Sequence, residues 1–308
     1  MVFLNTIPGA LSLGLIWGVM AIGLFISYKI LDFADLTVDG SFCTGGAVCV
    51  ILINAGVNVA LAMLVALLAG VLCGLITGLL NTACGIPPIL AGILTQLALW
   101  SVNIKILGNK ANVPVGNDEP IIVMIGNNLQ TILVMLGIVT VTVGLLYWFF
   151  GTRRGCSIRA VGCNEKMARA QGINVAVNKN IGLMISNGLV ALSGALISQY
   201  QGYADINMGK GAIVTGLAAI IIGLALVNWL PDNFAIKIVG VVFGAIVYYL
   251  VYQLIINLGF DMNLLKLLSA LLVALFLAAQ YWKNKYWRGR KAGKRKQVDV
   301  KQGGENDV

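Results

Sequence analysis

The sequence predicts an all-α polytopic membrane protein of eight to ten transmembrane helices, best read as nine, with the N-terminus outside and the C-terminus in the cytoplasm. Three observations carry this. Apolar residues make up 59 % of the 308 and charged residues only 11 %, against roughly 25 % charge in a soluble domain. The cations are gathered: of 21 Lys and Arg, six stand in 151–179 and nine follow Trp282, and such clusters mark the cytoplasmic side. Between two apolar runs, the polar stretch 151–179 carries helix start and stop signals of its own. Residues 1–282 thus read as one transmembrane domain, with 151–179 as a cytoplasmic loop, and 283–308 as a basic cytoplasmic tail.

Taken in order, apolar runs place crossings near 8–30, 41–56, 58–82, 88–106, 131–150, 180–201, 212–230, 235–256 and 263–282. The first lacks a charged n-region and cleavage site, so it reads as a retained span rather than a signal peptide. Runs 41–56 and 212–230 are short for a full span. The loop 107–130 is rich in Asn, Gly and Pro and reads as an external connector. Trp282, Tyr286 and Trp287 suit anchors at the inner interface, and the tail beyond them suits anionic lipid headgroups rather than nucleic acid. Histidine is absent and no CxxC occurs, which excludes the usual zinc sites and His-based acid–base chemistry; no metal site and no catalytic residue is expected. Of the six cysteines, Cys43, Cys49, Cys73 and Cys84 fall in apolar runs and read as small core residues.

A shift of 170 residues sets Phe33-Ala34-Asp35-Leu36 against Tyr203-Ala204-Asp205-Ile206, and Gly70 and Gly74 against Gly240 and Gly244. It superposes crossings one to four on six to nine. Five crossings separate the copies, so the expectation is an inverted repeat with the path at its interface. Gly70, Gly74 and Gly78 recur every fourth residue, as do Gly240 and Gly244 and also Gly14 and Gly18, which reads as close helix packing inside the bundle or across a dimer.

In 151–179, Asn164 is placed to cap a short helix, with Glu165 on its first turn, Arg169 near its end and Gly172 just past it. The order Arg159, Ala160, Gly162, Asn164, Ala168, Gly172, Ile173 resembles the coupling segment of ATP-binding-cassette (ABC) importer permeases of the branched-chain amino acid and ribose type. The likeness extends through LSGALISQYQG (192–202), GLAAIIIG (216–223) and LDFADLTVDGSF (31–42), and is nearest to the branch associated with tryptophan and tyrosine. It departs at Cys163, where that family often has a polar residue, and at Leu224, where a second glycine is missing.

The resemblance implies a permease subunit of the bacterial cytoplasmic membrane with no catalytic site and no cofactor of its own. It further implies a second permease subunit, as a homodimer, an ATPase dimer carrying ATP and Mg²⁺, and an external substrate-binding protein. Residues 164–172 would enter the ATPase groove, with Ala168 at the packed face and Arg169 near the rim. An amino acid is the expected solute, aromatic before branched-chain; the alternatives are a sugar or nucleoside, or an ion-coupled secondary transporter. The latter would be expected to hold ionisable residues deep in its spans.

Asp32, Asp35, Asp39, Thr37 and Ser41 form an acidic junction that either caps the run from 41 or lines the pathway. Asp205, Asn207 and Lys210 are its mirror set. Isolated polar residues in the spans (Asn81, Thr95, Gln96, Asn103, Asn187, Ser193) suit interhelical hydrogen bonds first and cavity lining second, and Trp17 and Trp100 suit packing.

Overall fold

The computed structural model describes residues 2–116, 128–229 and 233–257, with isolated positions from 267 to 278. Most of the crossing expected at 263–282, the basic tail with its aromatic anchors, and residues 117–127 of the connector lie outside the described residues. Ten helices occur among those described: α1 Val2–Phe25 with a π-helical turn Ile26–Ile30, α2 Val38–Asn54, α3 Val59–Thr82, α4 Pro88–Ile106, α5 Asn128–Gly151, α6 Arg153–Cys163, α7 Glu165–Ala170, α8 Val175–Gln201, α9 Ala212–Val227 and α10 Phe234–Asn257. Six of these segments are long and apolar enough to cross a membrane, while α2 and α9 are apolar but shorter. The expected runs and the helices agree to within about three residues, except that α1 begins six residues before 8 and α8 five before 180. The start of α8 is set by Asn174, whose side chain accepts from the Val177 amide at 3.2 Å, and the polar Asn178, Lys179 and Asn180 then delay the apolar run.

The all-α expectation missed two three-residue strands, β1 Asn112–Pro114 and β2 Tyr203–Asp205, which pair antiparallel with Val113 opposite Ala204. Cys84 is also exposed, in the turn after α3 rather than in a span.

Two helices make the centre. Inside the molecule, 78 % of the apolar window of α1 and 72 % of that of α8 is buried, against 22–39 % for the other four long helices. The central pair touch each other; α3 lies on α8 and α10 on α1, while α2 bridges α8 and α3, and α9 bridges α1 and α10. Glycine permits these approaches. Gly70, Gly74 and Gly78 bring α3 onto Asn187, Leu183 and Asn180 of α8, while Gly240 and Gly244 bring α10 onto Gly223 and Ala219 of α9. Gly14 and Gly18 face Ile246 and Val242. All these glycines therefore serve packing within this one chain. Trp17 is packing too, stacked on Phe42 with ring centroids 5.1 Å apart.

The two short helices start from one place. Amides of Gly211 and Ile213, at the head of α9, donate to the carboxylate of Asp39 in the first turn of α2 at 3.2 and 3.0 Å. From there α2 runs to the β1–β2 end, where the Asn54 side chain bonds the Pro114 carbonyl and the Gly116 amide. In the opposite direction α9 ends beside α6, sharing a cavity with Arg159 and Cys163. At about 1.5 Å per residue each covers roughly 25 Å. Both runs looked too short for a span because each helix begins within the height of the bundle.

Candidate functional site

Two regions gather the residues singled out by sequence: an elbow formed by α6 and α7, and the junction where α2 and α9 begin.

At the elbow, Gly162 lies against the carbonyl of Ile30, where any Cβ would overlap it, so the foot of the first helix fixes α6. The Arg159 guanidinium donates to the Phe150 carbonyl at 2.9 Å and sits 5.7 Å from the centre of the Phe234 ring. It binds α6 to the end of α5, a site of partial negative charge, and to the start of α10. Both residues of the motif therefore hold the elbow in place.

Asn164 then breaks the helix with an extended backbone, and its side chain accepts from the Met167 amide at 3.0 Å. Glu165 pairs with Lys179 of α8 at 2.6 Å. The far end closes as a Schellman motif: Gly172 takes φ +74°, its amide donates to Arg169, and the Ile173 amide donates to Ala168, both at 3.0 Å.

The structure corrects the expectation for Ala168. It is fully buried under the elbow, 0 % exposed, so it offers no surface to a partner's groove. In an isolated two-turn helix the spacing shows which residues share a face but not which face is covered. The outward face is Lys166, Met167, Arg169 and Ala170, with Glu165 beside them; Glu165, Lys166, Arg169 and Ala170 line a shallow hollow. Asn164→Ala is expected to cost α7 about 1 kcal/mol, read as an approximately fivefold faster hydrogen exchange of the Met167 amide.

At the junction, Asp35 is buried and accepts at both oxygens: from the Thr37 amide at 2.9 Å and from the Asn187 side chain at 2.7 Å. Asn187 in turn accepts from Ser41 at 2.7 Å. The Thr37 hydroxyl meets Thr77 of α3 at 2.7 Å, and Thr77 meets Thr95 of α4 at 3.0 Å. One hydrogen-bonded chain thus ties α2, α3, α4 and α8 together. Asp205 repeats the turn of Asp35, accepting from the Asn207 amide at 2.6 Å.

The acidic residues therefore cap backbone amides: Asp35 ahead of α2, Asp205 ahead of α9, and Asp39 at the head of α9 rather than of its own helix. Asp32 is exposed and takes φ +54°. Thr77 was missed by sequence reading; its signal was its place on the face of α3 that carries Gly70 and Gly74. Of the isolated polar residues, Thr95 and Asn187 belong to this network, Ser193 bonds the Ile16 carbonyl, and Asn81 closes the α3–α4 turn. Gln96 and Asn103 line a cavity. Among the described residues there is no cluster suited to a metal ion.

Known proteins resemble this chain over most of its length. The family model described as "Branched-chain amino acid transport system / permease component" matches residues 6–279. A tyrosine transport system permease protein of Clostridioides difficile (strain R20291) is 36 % identical over 89 % of this chain and 91 % of its own length. An uncharacterized protein of Rickettsia prowazekii (strain Madrid E) is 32 % identical over 90 % of this chain and 98 % of its own. The nucleoside ABC transporter permease protein NupC of Lactococcus lactis subsp. cremoris (strain MG1363) is 32 % identical over 39 % of this chain and 37 % of its own. Among solved structures, PsaBC from Streptococcus pneumoniae in complex with Fab aligns at TM-score 0.49 and 17 % identity, covering 90 % of this chain and 91 % of that one, too slight a likeness to bear on function.

Proposed function

Because this chain belongs to the family of permease components of branched-chain amino acid transport systems, and so is a multi-pass ABC transporter permease subunit, we propose that it forms half of an importer pathway for an aromatic amino acid, tyrosine first. Family membership sets aside ion-coupled transport. A second copy of the chain completes the pathway, an external binding protein delivers the solute, and a separate ATPase dimer holding ATP and Mg²⁺ drives it from the cytoplasmic side of a bacterial membrane. The ATPase subunits grip α7, and this chain performs no catalysis. The basic tail rests on anionic headgroups.

One observation carries the reading. A helix of only two turns is capped at both ends, latched from beneath by Ala168, and turns Lys166, Met167 and Ala170 outward. Such a fixed, partly apolar knob is what a partner needs in order to move the spans that bracket it. The tyrosine preference draws on the C. difficile relative, and the nucleoside alternative draws on a match to a much smaller share of the chain.

An inverted repeat, α1–α3 against α8–α10, accords with three features. Packing partners exchange between the halves, since α3 lies on α8 as α10 lies on α1; Asp35 and Asp205 make the same turn; and the residues paired by the 170-residue shift, Asp39 and Gly209, touch.

Gentle purification from the native membrane, with mass spectrometry of what accompanies the chain, tests the assembly: an ATPase in near-equal amount is expected. A chain that comes out alone and moves solute in liposomes without ATP refutes it. For orientation, Asn109→Cys is expected to react with an impermeant thiol reagent added outside; reaction only from the cytoplasm reverses the topology.

A further inference from the structure

Beside the junction lies a cavity of about 330 Å³ between the start of α2, α4 and the β2–α9 turn, lined by Asp39, Cys43, Gln96, Trp100, Asn103 and Lys210 among others. Its polar groups are unevenly satisfied. Asn103 is 1 % exposed; its Nδ2 donates to the Gly40 carbonyl at 3.4 Å, and its Oδ1 has no partner among the described residues. Turning the amide over would set Oδ1 against the Gly40 carbonyl, acceptor to acceptor, so the unpartnered atom is the oxygen. A buried acceptor left without a donor is costly, and here it belongs to a residue in the wall of a space open to a ligand.

The Asp39 carboxylate already takes two amides of α9, yet two oxygens have room for a further donor. Two acceptors, one on α2 and one on α4, thus border the same cavity and ask for a donor carrying several hydrogens and a positive charge. Lys210 is exposed at the rim with no ion pair among the described residues, and it asks for an anion. Trp100, 48 % exposed, offers an aromatic face. Gly40 keeps α2 close to α4, for a Cβ there would come within 2.9 Å of Leu99.

We infer that this cavity is a subsite for a free α-amino acid: its ammonium group donates to Asn103 Oδ1 and Asp39, its carboxylate meets Lys210, and an aromatic side chain lies against Trp100. This rests on the importer reading above and narrows it, since the site selects a zwitterion at the place where the two short helices begin. A sugar or nucleoside supplies hydroxyl donors but neither charge.

Protection of a thiol in the cavity tests the subsite directly. In the complete importer, Gln96→Cys is labelled with a small maleimide, and the rate at position 96 is followed by mass spectrometry. L-Tyrosine is expected to slow labelling about tenfold, tyramine less, and the des-amino acid 3-(4-hydroxyphenyl)propionate and ribose not at all. In the same background Asn103→Leu removes the acceptor at similar shape and abolishes the protection. Lys210→Gln, on an exposed turn, lowers protection by L-tyrosine to that of tyramine.

Equal protection by the des-amino acid or ribose overturns the assignment, as does no protection at tyrosine concentrations that saturate uptake. The two readings fail separately. Uptake driven by ATP and binding protein without protection rejects the subsite alone; protection with uptake that persists without ATP rejects the importer reading alone.

Discussion

Met167→Asp is expected to cut ATP-driven uptake about thirtyfold, the loss of a hot-spot contact of about 2 kcal/mol, while the chain inserts and folds normally. Met167 is 53 % exposed at the crest of α7 and makes its one capping hydrogen bond through its backbone. Exposed substitutions of this kind leave stability within about 0.5 kcal/mol. A carboxylate at the centre of an apolar contact stays unpaired when the partner closes, so the penalty falls on coupling. Uptake and ATP hydrolysis are to be measured together: hydrolysis that no longer responds to solute, with the permease still in the membrane, is the expected pair of results. Normal uptake by both Met167→Asp and Ala170→Asp would remove α7 from the coupling path. Ala168→Glu does not serve this purpose, because a buried charge beneath the elbow unseats α7 itself.

The second large effect is expected at Asp35. In Asp35→Asn one oxygen becomes an amide nitrogen and faces a donor, either the Thr37 amide or the Asn187 side chain, that it cannot accept from. Losing a hydrogen bond to a buried carboxylate costs up to about 3 kcal/mol. A clear fall in thermal stability is expected, with uptake per folded molecule preserved. Unchanged stability with lost uptake would make Asp35 a pathway residue instead of a cap. Asn187→Leu is expected to behave alike, since it removes the partner of both Asp35 and Ser41.

Much of this was legible in the residue order. Asn164, Glu165, Arg169 and Gly172 are local signals, and a helix cap acts within one turn of chain; the structure finds α7 where they place it. The turn at Asp35 and its counterpart at Asp205 were visible as a repeated tetrapeptide. What lay out of reach were partners distant in sequence. Nothing near Gly162 announces the Ile30 carbonyl, 132 residues away, and nothing near Asp39 announces the head of α9. Asn103 looked like any polar residue in a span until its neighbours left one of its atoms unmatched.

Composition and pattern were enough for the membrane class, most helix boundaries, the capped elbow and the family likeness, because hydropathy, capping and cation clustering depend on residues close along the chain. The face that α7 turns outward, the roles of Arg159 and Gly162 as fasteners, the common origin of α2 and α9, and the cavity between α2 and α4 were decided by packing. Each depends on segments far apart in sequence meeting, some of them at glycine, and no local preference specifies which surfaces meet.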